Sequence, residues 1–256
     1  IADTGRLTSS EPNMQQNPDK VRKAFVGAPG LMAADESQLE LRTMAKLSGD
    51  PGMLAAYMSD PPLDLHEDTR IRCGLIERRP AKIVNFLTQY GGAAPNLQLA
   101  LWKQGIYWTL RECQDLLDIF FAVRGRLHPY MDEVIAFGVE HGYSETLEGR
   151  RRYVPEIHSS KPDERGHAER QLINHPSQGT GADKVKRAMV DCWKEIVQAG
   201  CWLPLQIHDE ILVLGPFDDL EQLRPAVNKA MTYPNPLAPV PLIADIHIAS
   251  NWGEAH

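Results

Sequence analysis

One fifteen-residue segment, RRPAKIVNFLTQYGG at positions 78–92, constrains the fold and chemistry of this chain more than any other. Arg78, Lys82, Phe86 and Tyr90 follow one another at intervals of four residues, which predicts a single stripe along a helix. The stripe would span about 18 Å, roughly the reach of a nucleoside triphosphate, with cations for the phosphates and rings for the base. The same pattern fits an amphipathic helix with a solvated basic start and a buried aromatic end, so the segment alone leaves both interpretations open.

Carboxylates follow apolar runs at two other places. The run Leu31–Ala34 predicts a buried strand that ends at Asp35, and a helical period follows it. Two more apolar runs flank the segment His208-Asp209-Glu210, which predicts a hairpin with an acidic tip. Carboxylates so placed can converge on divalent cations, and phosphoryl transfer uses two such cations about 3.5–4 Å apart.

These segments are similar to motifs of the family A DNA polymerases, the class of bacterial DNA polymerase I. DESQLELR at 35–42 resembles the first palm motif, the 78–92 segment resembles the fingers motif, and QIHDE at 206–210 resembles the last palm motif. Other similar segments fill the gaps in order: TGRLTSSEPNMQQNP at 4–18, GYSETLEGRRRYVPEI at 142–157, ERQLINHPSQGTGADKVKRAMV at 169–190 and the C-terminal NWGEAH. The resemblance therefore covers nearly the whole chain.

The resemblance implies an α+β fold, in which a polymerase palm, an antiparallel sheet backed by helices, is split in sequence by an inserted helical fingers subdomain. We expect residues 1–60 to form the first part of the palm, 61–148 the fingers and 149–256 the second part of the palm. The thumb and exonuclease domains of the family are absent from the sequence. We therefore expect a C-terminal fragment of a longer polymerase, or one piece of a split one.

The implied function is that of a DNA-directed DNA polymerase, a nucleotidyltransferase of DNA replication and repair that uses two Mg²⁺ ions. The resemblance assigns catalytic roles to Asp35, Asp209 and Glu210. Asp35 and Asp209 would bind both ions, which bridge the primer 3′ hydroxyl and the incoming α-phosphate, and Glu210 would be a weaker accessory carboxylate. The backbone carbonyl of Glu36 would be a further metal ligand.

The resemblance also assigns residues to the two substrates, the dNTP and the primer–template DNA. Arg78, Lys82 and His66 would hold the triphosphate, and Phe86 would pack on the sugar. Tyr90 would sit near the templating base, and Glu40 would crowd the sugar C2′ and disfavour ribonucleotides. Contacts to base edges in the minor groove can test pair geometry without reading sequence. The resemblance assigns DNA contacts, largely along the minor groove and backbone, to Arg6, Asn13, Gln15, Arg170, Asn174, Gln178 and His208.

Two positions depart from the family pattern. Glu36 stands where the family commonly has Tyr, and a carboxylate there would add negative charge beside the metals. Leu87 stands where many relatives have Gly. A branched side chain there removes a flexible position at which another group could approach the backbone closely, directly after the sugar-packing aromatic residue. Neither departure removes a ligand that the chemistry needs.

Composition agrees with an ordinary globular protein. The chain has 256 residues, a net charge of −7 and four cysteines without metal-binding spacing, so free thiols in a reducing compartment are expected. The net charge argues mildly against nucleic-acid binding, but basic residues are concentrated between 70 and 82 and at 150–152, and DNA requires a local basic track. We find no membrane span and no signal peptide. A cytoplasmic location is expected, at a bacterial nucleoid or in a phage-infected cell, with an organelle as an alternative.

Three functions stay open at this point. The first is a DNA-templated DNA polymerase. The second is a non-catalytic fragment that binds primer–template and needs a missing thumb or exonuclease segment as a partner for turnover. The third is a template-directed RNA polymerase of the related single-subunit type, against which Glu40 argues because it would exclude a 2′ hydroxyl.

Overall fold

The computed structural model describes residues 1–255, apart from the burial of Asp19, Gly27 and Ala28. The strands are β1 (Val26–Glu36), β2 (Tyr143–Glu145), β3 (Arg151–Tyr153), β4 (Trp202–Ile207), β5 (Glu210–Gly215) and β6 (Ala244–Asn251). The α-helices are α1 (Asp19–Arg22), α2 (Leu39–Ser48), α3 (Pro51–Met58), α4 (Leu65–Arg72), α5 (Arg78–Gln89), α6 (Ala94–Trp102), α7 (Leu110–Val123), α8 (Leu127–His141), α9 (Pro162–Gln198), α10 (Phe217–Thr232) and α11 (Trp252–Ala255). Two short 3₁₀ helices lie at Met14–Gln16 and Pro155–His158.

The chain forms two compact units. The first contains residues 1–39, 178–236 and those from Leu242 onwards, and the second contains 40–177 and 237–241. The long helix α9 supplies residues to both. The palm and fingers boundaries expected at 60/61 and 148/149 remain a prediction.

The first unit is built on a four-stranded antiparallel sheet with strand order β4-β5-β1-β6. Leu31 and Ala33 lie on one face of β1, one of the two inner strands, in a buried cluster that includes Trp252 at the start of α11. The opposite face approaches α10, because a Cβ added at Gly30 would lie 3.1 Å from Leu220. Successive residues of a strand alternate between faces, so this packing also decides where the polar residues at the end of β1 lie.

The second unit is mainly helical, as the resemblance implies for the helical subdomain expected at 61–148. Two of its helices illustrate polar caps: the Asp50 carboxylate accepts the Met53 N–H at the start of α3, and Thr109 forms a capping box with Glu112 at the start of α7. Such caps satisfy backbone donors that the first turn of a helix leaves unpaired. The apolar faces then pack together, as for the fully buried Leu97.

The α+β class with an antiparallel sheet is confirmed, as are the strand before Asp35 and the hairpin at 202–215. The apolar periodicity of 183–198 predicts an amphipathic helix that begins near Asp183. That start is wrong, because α9 begins at Pro162 and continues through Pro176. All four cysteines are buried and free. Among residues 1–255, none of the helices has the length and apolar character that crossing a membrane requires.

Candidate active site

Three carboxylates lie side by side across the sheet of the first unit. Asp35 on β1 pairs with Glu210 on β5 and with Asp245 on β6. Directly opposed residues of antiparallel strands have Cβ atoms about 4.5–5.5 Å apart and share a face. The sheet therefore gathers acidic groups from three strands that are distant in sequence.

The electrostatics of Asp35 reflect this crowding. Burial raises the pKa of Asp35 most, and the carboxylates of Asp209 and Glu210 raise it further. Asp245 acts in the same direction and Arg22 in the opposite one, and the resulting pKa is about 7. A divalent cation would offset this repulsion, so the donor set fits Mg²⁺, which proteins bind through one or two carboxylates together with substrate phosphates. Within residues 1–255 no group of three or more His, Cys, Asp or Glu side chains is arranged as a self-sufficient metal site.

Asp209 is placed by a tight turn between β4 and β5. The turn consists of His208 and Asp209, between the paired residues Ile207 and Glu210. His208 is exposed and has a φ of 52°, a left-handed conformation that His adopts more readily than most residues. The Glu36 N–H donates to the Asp209 carbonyl at 3.2 Å, so the tip of the hairpin is fixed to the end of β1.

Glu210 is buried and is held by an aromatic donor. The Trp252 indole N–H lies 3.2 Å from each oxygen of the Glu210 carboxylate. Trp252 itself is fully buried, and its indole N–H can only donate, which fixes the direction of this bond. Sequence reasoning missed Trp252, whose segment NWGEAH was noted only as part of the resemblance.

The expected effect of the Glu36 side chain on the metal site is not supported. Glu36 follows Asp35 directly and so lies on the other face of β1, and it is not among the groups that raise the pKa of Asp35. Asp245 supplies the additional negative charge instead. Sequence analysis missed Asp245 because only the strand register brings it beside Asp35.

The second unit carries the predicted cationic and aromatic stripe. Arg78 and Lys82 are exposed on α5, and Phe86 and Tyr90 are half-buried. The opposite side of the helix is buried, including Ala81 and Val84. The stripe is therefore the accessible face of α5, with Tyr90 just beyond its last residue.

Arg78 and His66 are connected through Asp64, which caps α4. The Arg78 guanidinium donates to the Asp64 carboxylate at 2.5 and 2.8 Å, and the His66 backbone N–H donates to it at 2.9 Å. Partial burial raises the pKa of Asp64, but these hydrogen bonds outweigh burial and hold it below its usual value. The His66 ring packs against Phe86 with 5.5 Å between ring centroids, and the Lys82 ammonium lies 5.9 Å from the Phe86 centroid.

A groove of about 520 Å³ runs along this stripe. Lys82, Phe86 and Tyr90 line it, together with Gln104 from the segment after α6. A larger cavity of about 610 Å³ lies elsewhere in the same unit, around Ile76 and Trp108. The smaller groove is the relevant one because it contains three residues of the predicted nucleotide-binding set.

Tyr90 and Glu40 are in direct contact. The Tyr90 hydroxyl donates to the Glu40 carboxylate, and Glu40 is 8 % exposed. This bond fixes the position of the residue predicted to crowd the sugar. Gly91 follows with a φ of 64°, as expected for a glycine that ends a helix.

Leu87 is accommodated by a glycine further along the chain. A Cβ on Gly92 would overlap Leu87 Cγ and would lie 3.0 Å from the Leu87 carbonyl oxygen. The Leu87 side chain therefore occupies space that a side chain at position 92 would need. Leu87, which departs from the family pattern, therefore packs against Gly92 just beyond the end of α5.

The predicted DNA contacts fall in three places. Arg6, Asn13 and Gln15 lie in the N-terminal segment, where Asn13 caps the first 3₁₀ helix and the Gln15 amide donates to the Leu7 carbonyl at 2.7 Å. His208 is at the hairpin turn. The remaining set lies on α9 at intervals of four residues: Arg170, Asn174 and Gln178.

The spacing of the last set puts its members on one side of α9. Arg170 is exposed, and Asn174 and Gln178 are half-buried. Asn174 and Gln178 both lie inside α9, so neither caps a helix that begins near Asp183. His208 is exposed, which excludes the structural alternative of a core histidine beside a buried strand.

Known proteins are similar to this chain in sequence and in fold. The family model described as DNA polymerase family A matches residues 1–254. DNA polymerase I of Pseudomonas aeruginosa is 41 % identical over the whole chain, which covers 29 % of that protein. The corresponding protein of Deinococcus radiodurans is 38 % identical over 97 % of the chain and 27 % of its own length. The thermostable DNA polymerase I of Thermus filiformis is 37 % identical over 98 % of the chain and 31 % of its own length. The chain thus spans less than a third of these relatives.

A solved structure is similar over the whole chain. The POL domain of Pol1 from M. smegmatis, in complex with DNA primer-template and dNTP, has a TM-score of 0.87 and 33 % sequence identity, with 47 % of its length covered. The fold is therefore that of a polymerase domain. The chain belongs to DNA polymerase family A.

Proposed function

We propose that this chain is the catalytic part of a DNA-directed DNA polymerase that transfers dNTPs to a primer 3′ end. The observation that carries the proposal is the row formed by Glu210, Asp35 and Asp245 on the sheet of a family A chain. The first unit carries carboxylates suited to divalent cations, and the second carries a helix whose exposed cations suit a triphosphate. Primer–template DNA is the other substrate, and the similar POL domain was solved in complex with DNA primer-template and dNTP.

We assign the cations as two Mg²⁺ ions. Asp35 and Asp209 would hold them, with the Glu36 backbone carbonyl as a further ligand and Glu210 as an accessory group restrained by Trp252. When bound, the ions activate the primer hydroxyl and stabilise charge on the α-phosphate and the leaving pyrophosphate. The carboxylates orient these centres, and their negative charge is what makes the site selective for cations.

Nucleotide binding falls to α5 and its neighbours. Arg78 and Lys82 are exposed cations that would donate charge-assisted hydrogen bonds to the triphosphate, and Arg78 would exchange its bond with Asp64 for one to phosphate. Phe86 would pack on the sugar, and Glu40, fixed by Tyr90, would exclude a 2′ hydroxyl. Arg6, Asn13, Gln15, Arg170, Asn174, Gln178 and His208 are the proposed DNA contacts.

The location that we propose is the bacterial cytoplasm, at the nucleoid or in a phage-infected cell. Support comes from the matched relatives, which include proteins of Pseudomonas aeruginosa and Deinococcus radiodurans.

Single-turnover primer extension tests the nucleotide assignment. Lys82→Ala and Arg78→Ala should weaken dNTP use while leaving DNA affinity nearly unchanged, because their partners are triphosphate oxygens. Lys103→Ala is the matched control, since it removes an exposed cation at the end of α6. If DNA binding falls and dNTP dependence does not, the basic face of α5 contacts template and the assignment is wrong.

A non-catalytic fragment remains the second candidate, since the chain covers less than a third of its relatives. It predicts a gel shift with primer–template but no extension by the chain alone. Extension restored by adding the upstream part of a matched relative would favour it.

A further inference from the structure

His66 is the end of a buried chain of hydrogen bonds in the second unit. The Asn85 side-chain amide lies 3.1 Å from His66 Nδ1, and the Thr69 hydroxyl lies 3.1 Å from Asn85 Oδ1. The Arg124 guanidinium lies 3.2 Å from the same Thr69 oxygen. Thr69, Asn85 and Arg124 are each at most 2 % exposed, so the hydrogen bonds that join them are made between buried groups.

The donor and acceptor of each hydrogen bond in this series can be assigned by starting from Arg124. Arg124 can only donate, and it is held in place by Asp68, whose carboxylate it contacts at 2.5 Å. The Thr69 oxygen accepts from Arg124, so its own proton is available for Asn85 Oδ1. With Oδ1 accepting, the Asn85 N–H₂ group faces His66 and must donate to Nδ1.

An imidazole that accepts at Nδ1 carries its proton on Nε2. Within residues 1–255 His66 Nε2 has no hydrogen-bond partner, and it is not among the fully buried polar atoms that lack one. The Nε2–H of His66 is therefore available to an acceptor. Arg78 and Lys82 both act electrostatically on this ring, and the acceptor that their charge would attract is an anion.

We propose that the relay Arg124–Thr69–Asn85 fixes the tautomer of His66, so that the ring, to which the family resemblance assigns a triphosphate contact, meets a phosphate oxygen of the incoming dNTP as a neutral Nε2–H donor. The proposal rests on the proposed function for the identity of the ligand. Thr69, Asn85 and Arg124 are positioning residues, since each acts through His66. The shape of the ring alone would not select this tautomer, and the other neutral form would present Nε2 as an acceptor and repel phosphate.

The titration behaviour of His66 agrees with a neutral ring. Burial lowers the pKa of His66 to about 4, Asp64 opposes this, and Arg78 and Lys82 lower it further. A donor held against Nδ1 also disfavours protonation there. His66 is thus expected to be neutral wherever a polymerase is assayed.

The test combines the tautomer with nucleotide use. Long-range ¹⁵N NMR on the histidine-labelled full chain, with His66→Gln for assignment, should show Nε2–H in the parent. Asn85→Asp keeps the shape but can only accept, so it should move a proton to Nδ1. Thr69→Val frees the Asn85 amide to turn and should give a mixture of forms, whereas Thr88→Val, which removes a buried hydroxyl bonded within α5, should change nothing.

In primer extension, Thr69→Val should raise the KM for dTTP by about ten-fold, the effect of losing one charge-assisted hydrogen bond, with kcat nearly unchanged. Inorganic triphosphate should shift the Nε2 resonance of the parent and not that of Asn85→Asp. A parent with Nδ1–H, or a tautomer change without loss of dTTP or triphosphate binding, would overturn the proposal. An inactive chain would count against the proposed polymerase function, while the NMR titration would still decide the relay.

Discussion

Replacing Asp35 by Asn should make the metal-free protein more stable while abolishing its proposed chemistry. Asp35 lies among Asp209, Glu210 and Asp245, and an ionised carboxylate there is repelled by all three. Asn has almost the same shape and no charge. The substitution therefore isolates the electrostatic cost of the site.

The magnitude follows from the pKa of Asp35, which is raised from 3.8 to about 7. Each pKa unit corresponds to about 1.4 kcal/mol, so ionised Asp35 costs the folded state on the order of 4 kcal/mol above pH 7. The Asn amide must also be desolvated, which reduces the expected gain to about 1–3 kcal/mol. Because the folded pKa is the higher one, the cost appears as pH rises from 3.8 and is complete above about pH 7.

The assay is urea unfolding in EDTA at pH 8 and at pH 4. The free energy of unfolding of Asp35→Asn should exceed that of the parent at pH 8, and the difference should nearly vanish at pH 4. Asp64→Asn is the control of opposite sign, since Arg78 lowers the pKa of Asp64 and Asn caps a helix as well as Asp does. If Asp35→Asn is less stable than the parent at pH 8, repulsion among the carboxylates does not control the stability of this site.

Three further predictions test the contact between Gly92 and Leu87, the hydrogen bond from Trp252 to Glu210, and the exclusion of ribonucleotides by Glu40. Gly92→Ala should cost about 1–3 kcal/mol of unfolding free energy because its methyl overlaps Leu87, and Leu87→Ala should restore most of it in a double-mutant cycle of thermal unfolding. Trp252→Phe should cost about 1–3 kcal/mol because Glu210 loses its buried donor, and a cycle with Glu210→Gln that shows no coupling would contradict this. Glu40→Ala should raise the ratio of rNTP to dNTP incorporation efficiency; an unchanged ratio would remove Glu40 from the sugar site.

The strand and hairpin that carry the carboxylates, and the helix that carries the stripe from Arg78 to Tyr90, could be predicted from the sequence. The run Leu31–Ala34 indicated a strand because it is short and apolar, and the two runs around Asp209 indicated a hairpin. The spacing from Arg78 to Tyr90 indicated a helix face. Each of these signals lies within about fifteen residues, which is the range over which periodicity and turn chemistry act.

The features that were missed depend on contacts between distant segments. Asp245 joins the carboxylates only through the register of β6 against β1, and a shift of one residue would turn it to the other face. Helix α9 was predicted too short because Pro176, Gly179 and Gly181 weaken its helical pattern, and tertiary packing overrides that preference. The relay to His66 needs Arg124 and Asn85, which are 39 residues apart in the sequence, so no local pattern could predict it.

The measurement that tests the central claim most directly is primer extension by Asp209→Ala in Mg²⁺, beside Asp218→Ala as an exposed acidic control in the same unit. Loss of one ligand should displace the cations on which transition-state charge depends. We therefore expect no detectable extension from Asp209→Ala and parental rates from Asp218→Ala. Comparable extension by Asp209→Ala and the parent would contradict the assignment of this carboxylate site to catalysis.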